Sequence, residues 1–138
     1  MTALFSRAGP KNLSMTPDIA IIDSGIHPGH PHVGPVTGGH GYETDPETGQ
    51  VAQTTDFMDN IGHGTAIAGI ITEKVPDAGL YAVKIFSRDL GTSIPVLTRA
   101  LAWCVRQEFD IIHLSLGVEN KDSAAPLEQL CNTAREKG

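Results

Sequence analysis

Apolar positions along the chain fall into short unbroken runs and longer amphipathic stretches, and the two alternate. Ile19, Ala20, Ile21 and Ile22 form a continuous apolar run that ends at Asp23-Ser24-Gly25. Such a run suits a strand buried on both faces of a parallel sheet. Leu80 to Ile85 and Ile111 to Leu114 repeat the pattern, the second closing on Ser115-Leu116-Gly117. Between them, Thr65-Ala66-Ile67-Ala68-Gly69-Ile70-Ile71 is small and apolar all round, which predicts a helix buried on every side, ended by Val75-Pro76-Asp77. Ser93-Ile94-Pro95 opens an amphipathic helix, with Ser93 as N-cap, Pro95 in the first turn, and Leu97, Ala100, Leu101, Cys104 and Val105 as its apolar stripe. A last helix starts near Pro126 and puts Leu127, Leu130, Cys131 and Ala134 on one face. Residues 26–60 are rich in Pro, Gly, His and Thr and predict loops with at most one short strand, a length of irregular chain that points to function. Residues 1–17 lack periodicity and predict an arm over the surface.

Strands alternating with helices define the expected fold class: α/β, a doubly wound parallel sheet with three main strands. Ligands in such sheets bind beyond the carboxyl ends of the strands. Asp23 closes one strand and Ser115 another, so chemistry is expected there.

Composition narrows the partners. At 138 residues, 40% hydrophobic and 19% charged, the chain suits one globular domain or part of one. A net charge of −6 offers no basic face to a phosphate backbone, so nucleic acid is not expected. No run is long enough to span a membrane and Met1 to Met15 lack a signal-peptide core, from which a cytoplasmic location is the expectation. Cys104 and Cys131 are too few for a disulfide scaffold and read as half-buried thiols on helices.

Two residues stand out for chemistry. Asp23 would place a carboxylate at the end of a buried strand, where it is costly unless paired, so it either caps its own turn or orients another group. His63, in Gly62-His63-Gly64-Thr65, stands at the mouth of a helix between glycines that leave its imidazole open to a neighbour. Their surroundings resemble a known family. Ile21-Ile22-Asp23-Ser24-Gly25-Ile26 followed by His30-Pro31 resembles the aspartate motif of subtilisin-like serine proteases. Asp59-Asn60-Ile61-Gly62-His63-Gly64-Thr65-Ala66-Ile67-Ala68-Gly69 resembles their histidine motif, HGTxVAG, with Ile67 for Val. Tyr81-Ala82-Val83-Lys84-Ile85 resembles the following strand, and Asp110-Ile111-Ile112-His113-Leu114-Ser115-Leu116-Gly117 a segment of the type DVINMSLG. The resemblance divides the chain into an arm, residues 1–18, and the front part of a catalytic domain, residues 19–138.

The resemblance implies that His63 is a general base toward a serine hydroxyl and that Asp23 holds its tautomer. It implies a peptide or protein substrate laid as an added strand along Gly91 and Thr92 on one side and Ser115, Leu116 and Gly117 on the other. The family's oxyanion Asn and its GTSMAxP serine motif do not occur in the 138 residues. The expectation is therefore an Asp-His half-site that does not cut peptides by itself and is completed either by continuation of the same chain past Gly138 or by a C-terminal partner segment. The alternative is a non-catalytic peptide-binding or assembly module that self-associates through an unpaired edge at strand 111–115. Gly91-Thr92-Ser93-Ile94-Pro95 imitates the serine motif, but Ser93 sits where a helix cap is expected. His27, His30, His32 and His40 read as a solvated loop and not as a metal site. No cofactor is expected; Glu43, Asp45 and Glu47 leave calcium open without specifying it.

Overall fold

A computed structural model describes residues 2–6, 16–115 and 125–136. In chain order the elements are β1 (Thr2–Ser6), β2 (Asp18–Asp23), β3 (Val36–Thr44), β4 (Val51–Thr54), α1 (His63–Lys74), β5 (Gly79–Lys84), α2 (Ile94–Arg106), β6 (Ile111–Ser115) and α3 (Ala125–Glu136). The apolar run at 19–22 lies in β2, inside a sheet of order β1-β6-β2-β5-β3-β4. β2 pairs in parallel with β5 on one side and β6 on the other. Alternation along β2 divides its side chains between two cores. Ala20 and Ile22 face Val96, Leu97, Leu101 and Cys104 of α2 and Leu127 and Cys131 of α3. Ile19 and Ile21 face Ala68, with Ile67 and Ile71 of α1 at the margin. Helices on both faces of a mostly parallel sheet make the architecture doubly wound, as expected. Both cysteines are free and buried. Among the described residues no helix is long and apolar enough to cross a membrane.

The structure departs from the sequence expectations in three places. Residues 26–60 contain two strands: β3 runs parallel to β5, and β4 returns antiparallel to β3. Glycines dilute the apolar signal of β3, because Phe57 lies over Gly39 and the Asp56 carbonyl over Gly41. Residues 2–6 are not an arm but a strand, antiparallel to β6 with Thr2 opposite Ser115 and Ser6 opposite Ile111. The edge of β6 is thereby occupied, which removes the unpaired edge expected at 111–115 as a surface for self-association. An apolar edge strand has a row of unpaired amides and carbonyls, and β1 satisfies them. Finally, α1 buries Gly64, Thr65 and Ala68 against the sheet, but Ile70 is 57% exposed. One sheet face covers one side of a helix, so a sequence apolar all round does not ensure burial all round.

At the start of α2, Ser93 is the N-cap, and its Oγ accepts a hydrogen bond from the Val96 amide at 3.3 Å. Replacing Ser93 by Ala should cost about 1 kcal/mol in urea unfolding.

Candidate active site

The site is built where β2 ends. Asp23 is fully buried, and its Oδ1 accepts the amide of Ser24 at 2.7 Å. The Nδ1 of His63, the first residue of α1, lies 2.9 Å from Oδ1 and 2.8 Å from Oδ2 of the same carboxylate. A carboxylate only accepts, so Nδ1 carries the proton and the neutral ring leaves Nε2 as a lone pair. The His63 side chain is 36% exposed, so that lone pair belongs to a ring open to solvent. A buried carboxylate orienting a partly exposed imidazole is what an Nε2 general base needs.

Backbone geometry sets this pair. Gly62, the N-cap of α1, offers no side chain to the first helical amides. Asp59 and Ser24 supply the acceptors instead. Asp59 Oδ1 accepts the amides of Ile61 at 2.9 Å and Gly62 at 2.8 Å, and Oδ2 accepts the Thr65 amide at 2.9 Å and the Thr65 hydroxyl. Ser24 Oγ donates to Asp59 Oδ1 at 2.8 Å and accepts the Gly64 amide at 2.9 Å. The residue after Asp23 is thus tied to the residue after His63. Gly25 and Gly64 meet backbone to backbone: a Cβ on Gly64 would fall on the Gly25 carbonyl oxygen. Gly25 itself has φ +100° and would drive a Cβ into the Phe57 carbonyl, while the Ile26 amide donates to that oxygen at 3.0 Å.

Lys84 secures the same loop. Its Cα is opposite Asp23 in the β2–β5 ladder. Its buried Nζ donates to Asp56 Oδ2 at 2.9 Å and to the Met58 carbonyl at 2.7 Å. The Lys84 hydrogen bond holds the Asp56 carboxyl below its ordinary range. For Asp59, burial alone would raise the pKa, but hydrogen bonds from Thr65, Gly62 and Ile61 outweigh it and hold the carboxyl at about 2.

The other expected site residues are scattered around this pair. Gly91 and Thr92 lie exposed in the loop after β5, at the same end of the sheet as Asp23, and the Gly91 amide donates to Asp89 Oδ1 at 2.9 Å. Ser115 is the last residue of β6 and half-buried. Leu116 and Gly117 lie outside the described residues. Ser93 makes no hydrogen bond to His63; its hydroxyl is 3.5 Å from that of Thr44. The histidines of the 26–60 stretch do not form one cluster. His27, His30 and His32 are exposed along a groove of about 870 Å³ beside the outer face of α1, whereas His40 is buried in β3. The solvated-loop expectation therefore fails for His40. Asp45 Oδ1 accepts the amides of Glu47 at 2.8 Å and Thr48 at 3.3 Å, capping its own turn. Among the described residues no three His, Cys, Asp or Glu side chains are placed to hold a metal ion.

Sequence reasoning quoted Asp59 and gave it no role, since its partners are backbone amides that no motif displays. It also passed over His113, whose Cα is opposite Ile21 in the β2–β6 ladder. Burial lowers the His113 pKa, while the Asp23 charge draws it up and His63 draws it down.

The fold and this pair define a class, an α/β domain with a carboxylate-oriented histidine at the ends of its central strands. A model of the Subtilase family matches residues 16–138. The chain is 32% identical over 129 residues to Minor extracellular protease Epr of Bacillus subtilis, covering 87% of this chain and 18% of that protein. It is 29% identical over 129 residues to a Thermostable alkaline protease of Halalkalibacterium halodurans, covering 87% and 32%. Subtilisin E of Bacillus subtilis is 30% identical over 108 residues, covering 72% and 26%. The chain belongs to the subtilase family, and it spans less than a third of the length of these relatives.

The Asp59 network carries a pH prediction. Its pKa is lower folded, about 2, than the ordinary 3.8. Its contribution is therefore complete above the unfolded value and is lost as pH falls from 3.8 toward 2. Asp59→Ala should cost about 1–2 kcal/mol at neutral pH, and thermal unfolding of the variant should lose less stability than the parent across that acid window.

Proposed function

We propose that the chain is the Asp-His part of a serine endopeptidase site. His63 Nε2 takes the proton from a serine hydroxyl and returns it to the leaving amine. Asp23 holds the Nδ1–H tautomer and stabilises the imidazolium that forms between those steps. The observation that carries this reading is the double approach of His63 Nδ1 to a buried carboxylate, at 2.8 and 2.9 Å, on a side chain that is 36% exposed. Membership of the subtilase family and the naming of these relatives as proteases support it.

The nucleophile is not Ser93, which caps α2, nor Ser24, whose hydroxyl joins Asp59 to Gly64. The serine and the donors for the oxyanion come from a segment outside these 138 residues. A peptide would lie between the loop bearing Gly91 and Thr92 and the end of β6 at Ser115, continuing past Leu116 and Gly117, with its backbone paired to both. Exposed Gly91 lets a peptide backbone approach without meeting a side chain.

Two measurements test this. The 138-residue chain alone should not be labelled by a fluorophosphonate. Joined or co-expressed with the carboxy-terminal part of a subtilase domain, it should hydrolyse a fluorogenic peptide, and His63→Ala should lower kcat by roughly 10⁴-fold or more. Hydrolysis indifferent to His63→Ala, or labelling of the isolated chain at Ser93, would contradict the reading.

A further inference from the structure

A second histidine is built into the opposite face of the sheet. His40, on β3, is 5% exposed, and its Nδ1 is 3.1 Å from the hydroxyl of Tyr81 on β5. Its Nε2 is buried with no hydrogen-bond partner among the described residues. Aromatic rings fill the space around it. Trp103 of α2 has its ring centroid 4.3 Å away, Tyr42 of β3 4.9 Å and Tyr81 5.7 Å, crossing the imidazole at 62–80°. Trp103 stacks on Tyr81 at 5.4 Å and meets Phe109 at 5.9 Å. One imidazole thus sits where α2 docks on β3 and β5.

The neutral ring is suited to this place and the cation is not. Neutral imidazole needs one hydrogen bond to satisfy the nitrogen facing Tyr81, and its other nitrogen tolerates an apolar wall at moderate cost. Protonated imidazole carries N–H on both nitrogens. One of them would point into rings with no acceptor, a buried charge without a partner. The ionisable groups nearby are the phenols of Tyr42 and Tyr81 and, from α2, Cys104, Arg99 and Arg106, the last two acting as cations on Tyr42. β4 carries no ionisable residue; Glu108 and Asp110 flank Phe109 in sequence, and the Asp110 carboxylate accepts the Asp18 amide at 2.9 Å. Burial lowers the pKa of His40 from 6.5.

β3 is held by ladders to β5 and β4 on its two edges, whereas α2 is held by side-chain packing. We propose that His40 is an acid-sensitive latch: when it takes up a proton, α2 lifts from the sheet at Trp103. The docked form binds the proton less well than the lifted form. Docking is therefore complete above the ordinary imidazole range and is lost as pH falls through 6.5 toward the lowered value. α2 is entered through the loop that carries Gly91 and Thr92, so lifting it disturbs the proposed peptide cleft. That consequence rests on the peptidase reading; the latch does not.

Trp103 is the single tryptophan of the chain and touches His40, while His113 lies on the α1 face, so Trp103 emission reads the latch and not the candidate active site. The test follows emission and far-UV circular dichroism of the 138-residue chain from about pH 8 to about pH 4. The parent should show a red shift with a midpoint below 6.5 while its ellipticity persists. His40→Phe, which fills the same space without a titratable group, should abolish the shift. Should His40→Phe fail to fold, His40→Gln, which keeps a polar partner for Tyr81, takes its place with the same expectation. An unchanged red shift in the folded variant, a parent whose emission stays constant to pH 4, or a simultaneous loss of ellipticity would each overturn the latch.

Discussion

The carboxylate of Asp23 has no exposure to solvent, and the rest of the site follows from the need to give it donors. Left alone at the end of an apolar strand, it would have to be protonated or the strand would have to end earlier. Here it receives the Ser24 amide at 2.7 Å and the imidazole of His63 at 2.8 and 2.9 Å. The amide comes with the chain turn after β2. The imidazole comes from a segment forty residues further on, so the fold must deliver the start of α1 to the end of β2 within tenths of an ångström.

That delivery uses backbone contact more than side-chain packing. Gly25 and Gly64 touch, and Ser24 bonds both to Asp59 and to the Gly64 amide. Asp59 gathers the free amides of the helix start, where a negative charge also suits the helix dipole. Lys84, next to Asp23 in the sheet, holds Asp56 and Met58 and so the loop that brings Asp59 into place. The turn after β2, the start of α1 and the Asp23–His63 pair form one connected set of hydrogen bonds. A defect at Asp59 should be felt at His63 even though the two side chains do not touch the same atom.

How much of this was legible varied with the physics involved. The central strands and the capped helix α2 were readable, because unbroken apolar runs and a Ser-x-Pro start are local signals. Asp23 and His63 were readable because their motifs are contiguous in sequence. β3 was not, since close approach of Phe57 and Asp56 requires glycines where a strand ordinarily shows branched residues. β1 was missed because Ala3-Leu4-Phe5 is too short to show a period, and its pairing with β6 is a long-range event. The role of Asp59 stayed hidden because its partners are mostly amides common to every residue. His40 reads as a loop residue because nothing in the sequence says that Trp103, Tyr42 and Tyr81 converge on it.

The geometry commits one ring nitrogen of His63 to the Asp23 carboxylate, and the proposed function needs the other to be free. The most direct measurement is the ¹⁵N spectrum of His63 in histidine-labelled protein at alkaline pH. The account predicts a ring protonated at Nδ1 with a bare Nε2, and in Asp23→Asn the loss of that preference. A ring protonated at Nε2, or one averaging freely between the two forms in the parent protein, would contradict it.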